Sequence, residues 1–169
     1  MQLIRKFIHY VASLNTFLGK LSSYSLIIFM CILSFEVVAR YFFNSPTVWA
    51  HELSGYFLTY YLALTGPWLL LTREHVYVDI VYSRYSEKKK KIADIVSNLI
   101  AIFFFSVVLF TGWKYALYSI VNYQTSHTAW GPPLWPGKIV IPVCAVLFIL
   151  QSLSNICESA LKIKESDSK

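Results

Sequence analysis

Apolar residues fill four long runs of the chain, and charged or turn-forming residues separate these runs. Three of the runs carry no charge, namely 53–72, 95–113 and 139–157. A fourth run, 21–43, is interrupted only by Glu36 and Arg40 near its end. Each run is close to the roughly 20 residues that a helix needs to cross a hydrocarbon core of about 30 Å. Because no run alternates with a period of two, we predict membrane-spanning helices and not barrel strands.

The segment before the first span has a helical pattern of its own. Basic and polar residues occupy one face of it, and the other face is apolar, with Leu3, Ile4, Phe7, Ile8, Val11, Leu14 and Leu18. Such a pattern is typical of an amphipathic helix that lies in the plane of the membrane interface, which is the interpretation we favour. The alternative is that the segment simply extends the first span into the cytoplasm.

These patterns predict an all-α integral membrane fold in which residues 1–169 form a single membrane domain. The predicted parts are an interfacial helix at 1–18 and four transmembrane helices at 21–43, 50–72, 92–118 and 137–159. Lys and Arg cluster at both termini and between the second and third spans, whereas the loops 44–51 and 121–137 contain neither residue. The positive-inside rule then predicts that both termini lie in the cytoplasm.

Composition supports a membrane protein and narrows the function. The chain is 56% apolar and only 14% charged, which excludes an ordinary soluble domain. Its net charge of +6 comes from residues at the ends of apolar runs, so no nucleic-acid partner is expected. The three cysteines have no ligand-like spacing, and no catalytic constellation is visible. We therefore expect no enzyme activity, no metal and no cofactor.

Glu36 and Arg40 stand one helical turn apart, and Glu52 at the start of the second span is a second possible partner for Arg40. If Phe43 marks the outer boundary, Glu36 lies about 10 Å inside it. One hypothesis is a proton or ion relay in an autonomous small ion-coupled transporter that uses Glu36. We favour a charge cluster that locks helices together or docks a partner, because a relay needs further acids at greater depth.

Other polar and small residues indicate helix contacts. Gln151, Asn155 and Glu158 share one face near the inner end of the fourth span and are suited to hydrogen bonds with a neighbouring helix. A strip of small residues on the second span, Gly55, Thr59, Ala63 and Gly66, allows close approach of another helix. These contacts are open to helices of this chain or of another subunit.

Two histidines suggest another alternative, in which the chain binds a haem. His51 and His127 are both expected at the outer side, as axial ligation of one haem by a pair of histidines requires. Both lie in loops and not on helix faces inside a bundle, which disfavours a haem-bearing electron-transfer subunit.

Two stretches of the sequence carry a family resemblance: "ARYFFNSPTVWAHELSGYFL" and "GPWLLLTREHVYVDIV". They resemble the small membrane subunit (DctQ-like, or Q subunit) of tripartite ATP-independent periplasmic (TRAP) transporters. The positions that match the family pattern are Arg40, Tyr41, Phe43, Asn44, Pro46, Trp49, Glu52, Arg73, His75 and Asp79. Ala50 and His51 depart from it, since a more polar or acidic pair often precedes the glutamate.

The resemblance implies a non-catalytic scaffold subunit in the bacterial inner membrane. It would stabilise a large, elevator-type membrane subunit and help to dock a periplasmic substrate-binding protein, for sodium-driven symport of a small organic acid such as sialic acid or a C4-dicarboxylate. The residues expected to serve structure or partner docking are Glu36, Arg40, Trp49, Glu52, Arg73, His75 and Asp79.

Overall fold

A computed structural model describes the backbone of residues 2–72 and 87–167, and the side chains of 2–72 and 90–161. The described chain is helical apart from its loops and one isolated β-bridge, in agreement with the predicted all-α class. The helices are α1 (Gln2–Tyr41), α2 (Ala50–Thr72), α3 (Glu87–Val121) and α4 (Trp135–Asp167). The bounds predicted for the second span, 50–72, coincide with those of α2.

The N-terminal part of the chain differs from the favoured prediction. The expected break between an interfacial helix at 1–18 and a span beginning at 21 is absent, because α1 continues from Gln2 to Tyr41. Its 40 residues correspond to about 60 Å of helix, which is roughly twice the thickness of a hydrocarbon core. Position 19 of this helix is occupied by a glycine, which suits the close contact with α2. A Cβ atom placed on Gly19 would lie 2.6 Å from the Trp68 side chain. The alternative, in which the amphipathic segment extends the first span, describes this helix better.

Backbone conformation ends two of the helices before the loops 42–49 and 122–134, which are called the outer loops here after the orientation predicted from the sequence. After α1, Asn44 adopts a left-handed φ of 52°, and the Ser45 amide donates a hydrogen bond to the Ala39 carbonyl at 3.0 Å. After α3, Tyr123 is also left-handed, and the Gln124 amide bonds the Ser119 carbonyl at 3.0 Å in the manner of a Schellman cap. Both turns satisfy carbonyl groups that the helix ends would otherwise leave unpaired.

The helices form two antiparallel pairs that meet at α4. In the first pair, Ser22 of α1 bonds Thr65 of α2 at 2.7 Å. In the second, Phe105 of α3 stacks on Phe148 of α4 with ring centroids 4.0 Å apart. The same Phe148 ring lies against Gly66, so α4 contacts α2 as well as α3. Helix α4 also contacts α1 and therefore holds the two pairs together.

The distribution of apolar and polar side chains in the bundle is typical of a membrane protein. Many large apolar side chains are exposed, among them Phe103 and Phe110 of α3. The buried positions are instead rich in small and polar residues, which include Ser22, Ser54, Thr65, Ser119, Gln151, Ser152 and Ser154. Small residues let helix backbones approach closely, and buried hydroxyl and amide groups bond across the helix contacts.

Three of the described helices contain a stretch long and apolar enough to cross a membrane: α1 itself, Lys90–Val121 of α3 and Trp135–Leu161 of α4. Helix α2 has sufficient length, at 23 residues, but it contains no stretch as apolar as those of the other three.

Candidate functional site

Glu36 fastens the end of α1 to the loop that follows it. Its carboxylate accepts hydrogen bonds from Arg40 Nε at 3.0 Å and Nη2 at 2.5 Å. The backbone amide of Thr47 donates to the second carboxylate oxygen at 3.1 Å, and the Thr47 hydroxyl donates to the same atom. Only 6% of Glu36 is exposed, whereas about half of the Arg40 side chain is accessible. The buried Glu36 carboxylate therefore holds the loop 42–49 against the end of α1, and the Arg40 guanidinium that is bonded to it is exposed at the surface.

The register of α1 on α2 gives the level of this ion pair. Gly19 lies against Trp68 near the end of α2, and Phe35 stacks on Trp49, just before α2 begins, with ring centroids 5.9 Å apart. Glu36 is consequently level with the first turn of α2. It therefore lies near the end of the bundle that carries the loops 42–49 and 122–134.

Trp49, the last residue of the loop between α1 and α2, makes two contacts. Its ring packs on Phe35 at an interplanar angle of 24°, and its carbonyl accepts the Leu53 amide at 3.0 Å in the first turn of α2. An indole at this position anchors the loop to α1 and presents an amphipathic ring at the bundle end, as aromatic residues do at membrane interfaces.

Glu52 fastens the second outer loop. Its Oε1 atom accepts hydrogen bonds from the hydroxyls of Thr128, at 2.6 Å, and of Ser126. One turn further along α2, the Tyr56 hydroxyl donates to the Pro133 carbonyl at 2.5 Å. The contacts described for Arg40 go to Glu36, so the suggested pairing of Arg40 with Glu52 is not formed. Instead, Glu36 and Glu52 each hold a different outer loop.

Residues 122–134 form a compact loop between α3 and α4. An isolated bridge pairs Thr125 with Pro133, and the Leu134 amide bonds the Gln124 carbonyl at 2.9 Å. Lys138, in the first turn of α4, donates to the Gln124 side chain at 2.7 Å. Contacts with both α2 and α4 therefore hold this loop on the bundle end.

A chain of carboxamides crosses the opposite half of the bundle. Asn15 Nδ2 of α1 donates to Gln151 Oε1 of α4 at 2.8 Å, and Gln151 Nε2 donates to Asn155 Oδ1 at 2.9 Å. Asn155 Nδ2 then reaches Asn98 Oδ1 of α3 at 3.4 Å. The hydrogen bonds predicted for Gln151 and Asn155 with neighbouring helices are confirmed, and they lie within this chain.

The sequence prediction missed the partners of these groups. Thr47, Ser126 and Thr128 are ordinary loop hydroxyls by composition, and Asn15 is separated from Gln151 by 136 positions. The only available signal was the need of any polar side chain in a membrane bundle to find a partner. His51 and His127, the pair considered for haem, both have exposed side chains. Arg73, His75 and Asp79 lie outside the described residues.

None of these clusters has the composition of a metal centre: the described residues contain no group of three or more histidines, cysteines or acids that could hold a metal ion. Each of the charged and amide clusters is arranged to connect parts of the chain. Glu36 and Glu52 hold the two outer loops, and the carboxamides join α1, α4 and α3.

Comparison with known proteins agrees with this arrangement of a helical membrane bundle. No curated protein matches the chain. Residues 29–162 match the family described as "Tripartite ATP-independent periplasmic transporters, DctQ component". The matched region begins within α1, includes α2 and α3, and ends within α4, so it contains both outer loops and most of the helical bundle. The chain therefore belongs to the DctQ family of TRAP transporter components.

Proposed function

We propose that this protein is the scaffold subunit of a TRAP transporter that imports a small organic acid, such as sialic acid or a C4-dicarboxylate, by sodium-driven symport. In this role it stabilises the large elevator-type membrane subunit and helps to dock the periplasmic substrate-binding protein. It performs no chemical reaction and carries no solute itself.

The observation that carries the proposal is that the polar side chains at the helix contacts bind other parts of this chain. A carrier needs polar groups that are available to solute or ion, but Glu36, Glu52 and Gln151 each bind another part of the chain. Two of these three hold outer loops, and the third joins α4 to α1. Groups committed to such contacts make a bundle rigid, which is what a static support for a moving subunit requires.

The surfaces for the two partners lie on different parts of the bundle. Helix α3 packs on α4 and exposes large apolar side chains such as Phe103 and Phe110, a face suited to lipid or to the large membrane subunit. The loop 122–134 is held in a defined conformation and carries the exposed Trp130, a residue type enriched in protein interfaces. We assign this loop to the docking of the substrate-binding protein.

The proposed setting is the bacterial inner membrane, with four spans and both termini in the cytoplasm. The distribution of Lys and Arg supports this orientation. Helix α2 serves as the fourth span, since it pairs with α1 along its length and contacts α4. In this orientation the two loops that contain neither Lys nor Arg face the periplasm, where the binding protein operates.

Reconstitution tests the function directly. Vesicles that hold this chain and its large membrane subunit should accumulate the organic acid in a sodium gradient when the binding protein is supplied. Omission of this chain, of the large subunit or of the binding protein should each reduce uptake to background. Uptake by the chain alone, lost on Glu36→Gln, would instead establish the autonomous ion-coupled transporter. An absorption band in the Soret region of the purified chain would establish the haem-bearing alternative.

A further inference from the structure

Apolar side chains recur along α1 with a strict spacing that the contacts above do not use. They stand in alternating steps of four and three positions at Leu3, Phe7, Tyr10, Leu14, Phe17 and Leu21, which we call the α1 stripe. The same steps continue through Tyr24, Ile28 and Cys31 to Phe35. A seven-residue repeat of two apolar positions is the pattern of a helix that packs along another helix.

The part of the chain that the structure describes leaves the α1 stripe largely uncovered. The bundle contacts of α1 are made by its neighbours Val11 and Asn15, which are buried and lie about 100° further round the helix. By contrast, Leu3, Tyr10 and Phe17 are 84%, 72% and 64% exposed. The stripe therefore lies beside the contact with α4 and is open to a further helix.

Lipid alone does not account for the stripe. From Leu3 to Phe35 the repeat extends about 48 Å along the helix. A hydrocarbon core of about 30 Å covers roughly two-thirds of that length, at whatever level α1 lies in the bilayer. The remainder would place leucine and aromatic side chains against water, and an exposed apolar surface of this kind marks a site of interaction.

The residues around the stripe also differ from those of a helix surrounded by lipid. Outside the stripe, nearly all exposed side chains in residues 2–20 are polar: Gln2, Arg5, Lys6, His9, Ser13 and Lys20. Ile4 is the exception. A helix in lipid is apolar on every side that lipid touches, whereas the exposed surface of this segment is apolar along one narrow strip. The strip is therefore suited to contact with a single helix.

The charges beside the stripe select the partner. Lys6 and Lys20 each directly precede a stripe residue, in a position that meets the flank of the partner helix in a coiled coil. Helix α1 contains no acid before Glu36. In a parallel pair of two copies, the residues opposite these lysines would be Val11 and Ser25, neither of which is acidic. A different helix, with acids on its flank, supplies the countercharges that a second copy does not.

We propose that the α1 stripe packs against a helix of the large membrane subunit that carries its own apolar repeat and acidic residues opposite Lys6 and Lys20. The proposal rests on the proposed function, which supplies the partner. It adds the face of this chain that the partner binds and the chemistry by which the two helices recognise each other.

The test uses the full chain assembled with its large membrane subunit in nanodiscs. A benzophenone amino acid replaces Tyr10 or Phe17 in the stripe, and Met30, which is 59% exposed on another side of α1, is the matched control position. Mass spectrometry identifies the adducts formed on irradiation. A second set of variants is titrated with the purified large subunit, and the melting temperature of each chain alone is measured. These variants are Tyr10→Ala/Phe17→Ala, Met30→Ala, Lys6→Glu/Lys20→Glu and Lys6→Arg/Lys20→Arg.

We expect the probes at Tyr10 and Phe17 to form adducts with the large subunit, and the probe at Met30 to form none. Each truncated stripe aromatic should weaken binding of the large subunit about five-fold, and Met30→Ala should leave it unchanged. Each lysine changed to glutamate should weaken binding by up to about five-fold, less at high salt, while arginines should preserve it. The melting temperature of the chain alone should not change, because these side chains are exposed in it.

Adducts with a second copy of the chain, or with residues 73–86 of the same chain, would overturn the proposal by giving the stripe another occupant. The absence of any protein adduct would assign the stripe to lipid and overturn it as well, and so would equal effects of Met30→Ala and the stripe truncations. The proposed function fails separately, if the unchanged chain does not bind the large subunit or if uptake proceeds without the chain. Normal assembly and uptake by the stripe variants would refute the α1 stripe alone.

Discussion

Gln151 is the position where the bundle can be tested most sharply. Its side chain is completely buried and makes two hydrogen bonds, one from Asn15 of α1 and one to Asn155 on its own helix. Leucine has a similar size and no polar atoms, so Gln151→Leu removes both bonds with little change in packing. The variant also leaves the buried Asn15 carboxamide without its partner on α4.

The expected cost follows from the number of bonds. Hydrogen bonds between membrane helices contribute about 0.6 kcal/mol on average and up to about 1.7 kcal/mol. Loss of two such bonds should lower the free energy of unfolding by about 1–3 kcal/mol. Asn15→Leu removes only the bond between α1 and α4, and should cost about half as much. The double variant Asn15→Leu/Gln151→Leu should cost less than the sum of the single changes, because the shared bond is lost only once.

The assay is reversible unfolding of the purified chain in mixed micelles, followed by circular dichroism. Ser152→Ala is the matched control, since Ser152 is the next residue of α4 and equally buried, and its hydroxyl has no hydrogen-bond partner among the described residues. Removal of that hydroxyl should change stability by less than about 0.5 kcal/mol, because no bond is broken. Strictly additive effects of the Asn15 and Gln151 changes, or a Gln151 variant as stable as the control, would refute the carboxamide chain as a helix lock.

The remaining predictions concern the outer loops and close helix contacts. Glu36→Gln removes the negative charge that holds Arg40, so protease cleavage within 42–49 should become faster; an unchanged rate would contradict the role of the carboxylate. Glu52→Ala should speed amide hydrogen exchange in 122–134, while Glu52→Gln, which keeps an acceptor oxygen, should change it less; equal effects would contradict the loop anchor. Gly66→Leu forces a Cβ within 2.7 Å of the Phe148 ring and should lower the free energy of unfolding by about 1–3 kcal/mol. Gly55→Leu should be tolerated, because nothing lies within 4 Å of a Cβ at that position. A larger loss of stability for Gly55→Leu than for Gly66→Leu would contradict the packing.

Local patterns are sufficient to predict most of the helices and the polar contacts of α4. Charge-free length predicts α2 within its observed bounds, and the common face of Gln151 and Asn155 predicts their hydrogen bonds with neighbouring helices. The continuity of α1 was not favoured, because a basic amphipathic segment has the same periodicity whether it lies in the interface or extends a span. What distinguishes the two is the unbroken course of α1 and the hydrogen bond from Asn15 to Gln151 of α4, a contact between residues 136 positions apart in the sequence.

The outer loops illustrate a second limit of sequence reasoning. The sequence marks the acidic residues near the ends of the apolar runs as unusual, but it does not indicate their partners Thr47, Ser126 and Thr128. Loop hydroxyls carry no periodic signal, and their selection depends on where the loop folds back over the helix ends. A carboxylate with several acceptor sites can accept more than one such donor, so many arrangements satisfy the same sequence.

The lack of a strongly apolar stretch in α2 is best explained by its neighbours. Most of its side chains are at least partly covered, because the helix pairs with α1 along its length and also contacts α4. A helix in such a position meets protein on several sides and has less need of a fully apolar surface than α3, which is largely exposed. Its Thr65 hydroxyl and Gly66 backbone are used in helix contacts, and its first turn holds an outer loop through Glu52. Polar and small residues of α2 are therefore among those that connect the bundle, as expected of a helix that is covered largely by protein.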